Sequence, residues 1–279
     1  MFNTKSIKVA VIMMSLIAVL TACTSNSESD NQASNNSHST LAISGSTSVG
    51  PLAEKLAAKY KEQDHTKIEI NQIGSSAGIT NAMNGVSEIG MSSRDLKDEE
   101  KGNLKEVIIA YDGIVVVTHP SNKVKNLTLN QVKEIFTGEI TNWSQVGGDD
   151  MEIVVVSRED GSGSRDAFQE IVEYSSGDLI KNSIIASGNG NIKTTVANNK
   201  HAVGFVSFEY IDDSISTIDI DGVQATAENV LDKKYSLSRP FLFVYKEGNL
   251  TESGQNFIDF ILSDKGQKIA AEAGAIPIK

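Results

Sequence analysis

Glycine, serine and threonine cluster at three points in the sequence, each between a short apolar segment and a helical pattern. The clusters are residues 45–50, 74–78 and 157–165, and the third also contains Arg158 and Arg165. A helix N-terminus carries unpaired backbone N–H groups and about half a positive charge, and hydroxyl groups beside it add rotatable donors. Arginine's planar fork matches two oxygens of a tetrahedral anion. The three clusters together predict a site for a small anion.

Helix capping is the alternative explanation for these clusters. Serine, threonine and glycine are favoured at helix N-termini in any α/β protein, so one cluster alone would indicate a cap. Three clusters, one of them with two arginines, favour an anion site over three unrelated caps.

The spacing of apolar residues predicts the elements around the clusters. Residues 41–44 form a predicted strand, and Pro51 opens a predicted helix whose apolar residues recur every fourth position. The second cluster follows a strand that alternates at Ile68 and Ile70, and the third follows the apolar run 153–156. Strands that alternate with helices predict the α/β class with largely parallel sheets.

Two further apolar strands, at residues 113–118 and 241–245, predict places where the chain crosses between two lobes. They bracket a middle region of about 120 residues, a moderate domain size. A closing helix over residues 255–271 has apolar residues that can pack on the first lobe. The predicted ranges are 41–115 and 240–279 for lobe 1, and 116–239 for lobe 2.

A secretory signal precedes this body. Lys5 and Lys8 come before the apolar run 9–20, which is shorter than the roughly 18 to 20 residues that span a bilayer. The tetrapeptide Leu-Thr-Ala-Cys ending at Cys23 resembles the bacterial lipobox, in which the cysteine is diacylated; an ordinary signal peptide with an incidental cysteine is the alternative. Residues 24–40 are polar apart from one alanine, so they cannot bury enough surface to fold. The predicted segments are a signal peptide over residues 1–22 and a lipidated, disordered tether over residues 23–40.

Charge and motifs exclude several classes of protein. Residues 1–22 contain two lysines and no acid, so the chain without them is two charges more negative than −11. Such an acidic chain argues against nucleic acid or anionic lipid as a partner, but not against a small anion held by local donors. The sequence has no G-x-x-x-x-G-K-[ST], G-x-G-x-x-G or H-E-x-x-H motif. We therefore predict no cofactor and no metal.

A serine hydrolase is the alternative from another class. Residues 74–78 match G-x-S-x-G at a strand-to-helix turn, with Ser76 in the nucleophile position. That chemistry needs a histidine, which the hydrolase fold supplies near the C-terminus, whereas the downstream histidines are His119 and His201. No oxyanion segment of the HGGG type is present. We therefore predict a protein that is not an enzyme.

Several motifs occur together in an order that is typical of one family. They are Gly45-Ser46-Thr47-Ser48, Gly74-Ser75-Ser76, residues 138–143, residues 160–164, Val203-Gly204-Phe205-Val206, and residues 257–263 followed by Pro277. From Leu41 onward the chain resembles the phosphate-binding proteins of bacterial ABC importers. The resemblance implies a periplasmic-binding-protein-like fold of two α/β lobes, joined by crossover strands, that closes on inorganic phosphate and delivers it to a membrane permease. The secretory signal and the lipobox-like sequence predict an extracytoplasmic protein anchored to the cell membrane through lipid on Cys23.

The resemblance further implies which residues bind phosphate. Many members of the family carry an aspartate that accepts the phosphate proton where this sequence has Ser93, followed by Arg94. This departure leaves the selectivity mechanism open. The implied ligands are Thr47 and Ser48 in the first loop, Ser75 in the second, and Arg158, Ser162, Gly163 and Ser164 in the third, with Asp160 as the acid that pairs with Arg158.

A buried carboxylate can distinguish phosphate, which keeps a proton near neutral pH, from sulfate, which keeps none. Asp112 lies at the start of an apolar crossover strand. Our hypothesis is that Asp112 accepts the phosphate proton and that Arg94 balances its charge; a turn-forming Asp-Gly pair is the alternative. Sulfate, molybdate or tungstate remain alternative ligands, and an adhesion or signalling lipoprotein with a vestigial cleft remains an alternative function.

Overall fold

The structure is a computed structural model that describes residues 40–278. The predicted signal peptide, Cys23 and the predicted tether up to residue 39 lie outside the described residues. The strands in that range are β1 (Leu41–Gly45), β2 (Ile68–Gln72), β3 (Ile89–Ser92), β4 (Leu104–Thr118), β5 (Asn126–Leu127), β6 (Val154–Arg158), β7 (Ile184–Ala186), β8 (Ala202–Ser207), β9 (Ser216–Thr217), β10 (Asp219–Ile220) and β11 (Ser238–Lys246). The helices are α1 (Gly50–Tyr60), α2 (Ser75–Asn84), α3 (Asp98–Lys101), α4 (Leu129–Thr137), α5 (Gly163–Val172), α6 (Gly188–Ala197), α7 (Ala227–Leu231), α8 (Glu252–Leu262) and α9 (Asp264–Glu272).

Nine of these strands form a mixed sheet whose path runs β2-β1-β3-β11-β4-β8-β6-β7, with β9 also paired to β4; β5 and β10 form a separate two-stranded parallel sheet. Pairings toward the two ends of this path are parallel, as the sequence predicts. The three pairings in the middle are antiparallel: β3 with β11, β11 with β4, and β4 with β8. β4 and β11 contain the predicted crossover strands. The expectation of largely parallel sheets is therefore wrong for the middle of the sheet. β4 is shared: residues 104–113 pair with β11 and residues 114–118 with β8.

Two large hydrophobic cores lie along this sheet. The first draws its buried residues from residues 41–110 and 241–275, and the second from residues 114–237 together with Ile276. The lobe boundaries stay a prediction, and lobe 1 and lobe 2 denote the predicted ranges below. Among the described residues, no helix is both long enough and apolar enough to cross a bilayer.

Helices that precede or follow the glycine-serine clusters pack as their spacing predicts. α1 has Pro51 in its first turn and buries Leu52, Leu56 and Tyr60, which recur every fourth position, in the first core. α5 buries Phe168 in the second core. The ring of Phe168 stacks on that of Phe205, with the two ring centroids 4.1 Å apart. The first and third clusters are thus each followed by a helix with its own apolar face.

The predicted closing helix is in fact two helices, α8 and α9. Ser263 separates them with an extended ψ of 161°. Its hydroxyl accepts a hydrogen bond from the backbone N–H of Gly266 (3.2 Å). Serine favours such a cap over the helix interior because its side chain competes for backbone groups. Phe257 and Ile261 pack on the first core, as predicted.

Candidate anion-binding site

The first glycine-serine cluster forms the turn between β1 and α1. Gly45 has a φ of 144°, and a Cβ at this position would lie 2.2 Å from a carbonyl oxygen of β3, so only glycine fits. The hydroxyl of Ser46 accepts hydrogen bonds from the N–H groups of Ser48 (3.1 Å) and Val49 (3.3 Å). It donates to the hydroxyl of Ser93 (2.9 Å). The turn therefore joins the start of α1 to the residue that follows β3.

Ser93 connects the first cluster to the second. Ser75 is the first residue of α2 and is fully buried. Its hydroxyl accepts a hydrogen bond from the N–H of Ser93 (3.1 Å) and lies 3.3 Å from the Ser93 hydroxyl. The hydroxyl of Ser46 donates to the same Ser93 hydroxyl. The sequence reasoning did not select Ser46 as a site residue, although it belongs to the first motif.

The third cluster, at the start of α5, lies directly against the other two. The hydroxyl of Ser164 is 2.8 Å from that of Ser48. A Cβ on Gly163 would lie 2.2 Å from the hydroxyl oxygen of Ser75 and 2.8 Å from that of Ser93. The N-termini of α1, α2 and α5 therefore meet at one buried place.

Arg158, the last residue of β6, is buried at 1% exposure and contacts both lobes. Its Nη2 donates to the hydroxyl of Thr47 (2.8 Å), and its Nη1 donates to the amide oxygen of Asn189 (3.4 Å). Nε and Nη2 donate to the two carboxylate oxygens of Glu159, at 2.8 and 2.9 Å. Burial opposes the ionisation of Glu159, but Arg158 outweighs burial and lowers the pKa of Glu159. Glu159 therefore stays ionised.

The predicted pairing of Arg158 with Asp160 is wrong. The side chain of Asp160 is 93% exposed and pairs with Arg165, whose Nη1 also donates to the carbonyl oxygen of Arg158 (3.2 Å). β6 ends at Arg158, and the following turn brings Glu159 back to the guanidinium while Asp160 faces solvent. Ser162 caps α5 by accepting a hydrogen bond from the N–H of Arg165 (3.3 Å).

Asn189 is a second residue that the sequence reasoning missed. It lies in the first turn of α6 and is 1% exposed. Its Nδ2 donates to the hydroxyl of Ser48 (2.9 Å), and its Oδ1 accepts from the N–H of Ser207 (3.1 Å). The signal was available: residues 187–190 are a fourth glycine-rich turn between a strand and a helix.

Asp112 binds Arg239, and this arrangement does not support its hypothesised role as proton acceptor. Its Oδ2 accepts from Nε (3.0 Å) and Nη2 (2.7 Å) of Arg239. Its Oδ1 accepts from the hydroxyl of Ser207 (2.8 Å) and the N–H of Phe208 (3.1 Å). Burial raises the pKa of Asp112, and Arg239 opposes that rise. A carboxylate has about four lone-pair positions, so these donors leave none for a ligand proton.

Arg94 is likewise engaged by protein groups rather than directed at a ligand. Nε donates to Asp166 (3.0 Å), and Nη1 donates to the carbonyl oxygen of Asp95 (2.8 Å) and to Glu100 (2.7 Å). Nη2 donates to Glu100 (2.9 Å) and to the hydroxyl of Ser76 (3.4 Å). These contacts use the five N–H groups that a guanidinium has. The expectation that Arg94 balances the charge of Asp112 is not supported either.

Ser76 occupies the nucleophile position of the G-x-S-x-G turn. The hydroxyl of Ser76 accepts from Arg94. His119 bonds to the hydroxyl of Ser121 (2.8 Å), and Nδ1 of His201 lies 3.0 Å from the carbonyl oxygen of Glu152. Within residues 40–278, neither histidine forms the hydrogen bond to Ser76 that a general base would make.

A further buried carboxyl lies close to the Asp112–Arg239 pair. Oε1 of Glu209 is buried and has no hydrogen-bond partner within residues 40–278. Burial raises the pKa of Glu209 to about 8, and Asp112 adds to the rise, while Lys55 and Arg239 oppose it. Glu209 is therefore mainly protonated in the folded protein near neutral pH.

The arrangement supplies hydroxyl and backbone donors around one place, with the charge of Arg158 beside them. No group of three potential metal-ligating side chains occurs within residues 40–278. Helix N-termini and hydroxyl groups gathered in this way can bind a small anion.

This chain is similar to known proteins over most of its length. Residues 30–265 match the model of the PBP superfamily domain. The phosphate-binding protein PstS of Borreliella burgdorferi is 31% identical, with 86% of this chain and 90% of that protein covered. A phosphate ABC transporter substrate-binding protein from Clostridium perfringens, solved with bound phosphate, is 62% identical with a TM-score of 0.84, covering 86% of this chain and all of that one. An ABC-type phosphate transport receptor from Vibrio cholerae is 37% identical with a TM-score of 0.75, covering 85% and 99%.

The two-lobed site described above is thus that of a PBP-superfamily protein. Within that superfamily, the chain belongs to the family of phosphate-binding proteins. The periplasmic-binding-protein-like α/β fold expected from the sequence is confirmed.

We expect the Glu209→Gln variant to lose part of the pH dependence of stability. Glutamate has a pKa of about 4.3 in an unfolded chain, against about 8 for folded Glu209. Between these two pKa values the folded state holds a proton that the unfolded state releases. The stability that Glu209 contributes is therefore complete below the unfolded-state pKa and is lost as the pH rises through the folded-state pKa. The free energy of unfolding, measured in urea, should fall between pH 5 and pH 9 by about 2–4 kcal/mol more in wild type than in the variant. Equal losses in both proteins would contradict this assignment.

Proposed function

We propose that this protein binds inorganic phosphate between lobe 1 and lobe 2 and delivers it, chemically unchanged, to the membrane permease of an ABC importer. The observation that carries the proposal is the meeting of three helix N-termini, with their hydroxyl groups, beside the guanidinium of Arg158. Family membership and the phosphate bound by the relative from Clostridium perfringens support the same ligand. The bound anion would be held by neutral dipoles and one arginine, which suits a dehydrated phosphate.

The proposed ligands come from both lobes. Arg94 and Asp112 are assigned to holding neighbouring groups in place, because their own polar atoms are already engaged. Asn189 is also assigned a positioning role and not a ligand role, because its amide nitrogen donates to the hydroxyl of Ser48 and orients it. The ligand set is Thr47, Ser48, Ser75 and Ser93 from lobe 1, and Arg158, Ser162, Gly163 and Ser164 from lobe 2.

Selectivity against sulfate requires an acceptor for the phosphate proton. The carboxylates of Asp112 and Glu159 are each paired with an arginine. We assign the acceptor to the hydroxyl of Ser93, which has two lone pairs and receives a hydrogen bond from Ser46 on one of them. A hydroxyl can also turn its own proton toward sulfate. We therefore expect weaker discrimination than a carboxylate would provide.

Calorimetric titration with phosphate and sulfate tests the function. Wild type should bind phosphate saturably and more tightly than sulfate. Arg158→Ala should weaken phosphate binding by about 2–5 kcal/mol, because it removes one partner of a buried, hydrogen-bonded charge pair. Arg158→Lys should recover only part of the affinity, since an ammonium cannot reproduce the planar fork.

Unchanged phosphate affinity in Arg158→Ala would show that Arg158 does not bind phosphate and would remove the third glycine-serine cluster from the site. Tighter binding of sulfate, molybdate or tungstate than of phosphate by wild type would instead assign the site to another oxyanion.

We expect Gly163→Ala to weaken phosphate binding by about 1–3 kcal/mol, the usual range for overpacking a close contact. The added Cβ would lie 2.2 Å from the hydroxyl oxygen of Ser75, so α5 could not approach lobe 1 fully. Gly190→Ala is the matched control, because a Cβ there has nothing within 4 Å. Equal affinity of both variants by calorimetry would show that the contact at Gly163 is not needed for binding.

We further propose that Cys23 is acylated and anchors the protein outside the cell membrane. The polar segment after it has no apolar residues able to hold a membrane, and stable anchoring needs two lipid chains. Cys23→Ala should therefore release the protein into the medium or periplasm, whereas Ser27→Ala, in the same segment, should not. Fractionation with a high-salt wash measures this. Retention of Cys23→Ala in the membrane fraction would contradict the anchor.

A further inference from the structure

Arg94 lies at the boundary between the lobes and is almost completely buried. It follows β3, whose residues Ile89 and Met91 belong to the first core. Its side chain is 3% exposed, and its Nε donates to Oδ2 of Asp166 at 3.0 Å. Asp166 lies in the first turn of α5, whose apolar face belongs to the second core. This ion pair therefore joins two parts of the molecule that have separate hydrophobic cores.

Lobe 1 holds the Arg94 side chain in place by itself. Glu100 accepts from Nη1 (2.7 Å) and Nη2 (2.9 Å), and the carbonyl oxygen of Asp95 accepts from Nη1 (2.8 Å). Burial disfavours the charge on Arg94, but Glu100 and Asp166 outweigh burial and raise its pKa. The guanidinium is thus a fixed, charged group whose Nε faces the other lobe.

Asp166 is close to the anion site because it lies in the first turn of α5. It is three residues after Gly163, whose backbone packs on Ser75 and Ser93 of lobe 1. A bond from Asp166 to a fixed point on lobe 1 therefore restrains the N-terminus of α5. Asp166 is 26% exposed and does not need to contact the ligand to have this effect.

We propose that the Arg94–Asp166 pair is an interlobe latch, which holds the N-terminus of α5 against lobe 1 and slows the release of bound phosphate. Both residues are positioning residues and not ligands. The inference rests on the proposed phosphate-binding function. It gives Arg94 a role other than balancing the charge of Asp112.

Simple electrostatics predicts the opposite effect of removing the Asp166 charge. Asp166 is an acid near a site for an anion, so neutralising it should tighten phosphate binding if only its charge mattered. A latch predicts faster release after the same change. The direction of the effect therefore separates the two explanations.

The test compares Asp166→Asn with Glu170→Gln, which removes one acidic charge from an exposed position one turn further along α5. Release of radiolabelled phosphate is followed after a chase with unlabelled phosphate. We expect Asp166→Asn to release phosphate about tenfold faster than wild type, because the neutral amide oxygen can still accept from Nε of Arg94 but no longer forms an ion pair with it. Glu170→Gln should match wild type, and Asp166→Glu should retain part of the slow release.

The melting temperature of each phosphate-free variant reports any loss of helix stability separately. Release from Asp166→Asn at the wild-type rate, or more slowly, would overturn the latch even if its melting temperature fell. Equal acceleration in Glu170→Gln would also overturn it, because the effect would then be one of general charge. If wild type itself bound no phosphate, the proposed function would fail and the latch with it.

Discussion

The anion site depends on the close approach of α5 to the first and second glycine-serine clusters, both in lobe 1. At Gly163 the hydroxyl groups of Ser75 and Ser93 occupy the space that any side chain would need. This contact brings backbone N–H groups and hydroxyl groups from two distant chain segments around one place. The hydrogen bond between Ser48 and Ser164 depends on the same approach, as does that from Arg158 to Thr47. Glycine and serine at these positions therefore serve packing as much as ligand chemistry.

Charge near the site is almost completely paired. Isolated buried charges are expensive to desolvate, so each arginine is held by at least one carboxylate. These pairs leave the site close to neutral, and helix N-termini and hydroxyl groups supply the remaining attraction for an anion. An acidic protein, with a formal charge of −11, can therefore contain an anion site. The pairs are Arg158 with Glu159, Arg239 with Asp112, Arg165 with Asp160, and Arg94 with Glu100 and Asp166.

Local chemistry explains which parts of the fold were predictable. Pro51 and the apolar residues that recur along α1 specify that helix through short-range packing, and the strand before it follows from its apolar residues. The break at Ser263 was missed because apolar spacing continues across it, whereas the serine cap that ends one helix and begins the next is a single side-chain contact. The direction of β4 and β11 was missed for a different reason. Strand pairing depends on the whole path of the chain and leaves no local pattern.

Caps and apolar periodicity are properties of neighbouring residues, so the α/β class, the three glycine-serine clusters and the place of Arg158 in one of them can be predicted from the sequence. The pairing of acids with arginines, in contrast, depends on contacts between distant segments of the chain. Asp112 and Arg239 are 127 residues apart in the chain, and Arg94 and Asp166 are 72 apart. Such pairs form where segments from different parts of the chain are packed together, and a buried charge takes whichever partner that packing brings within hydrogen-bond distance.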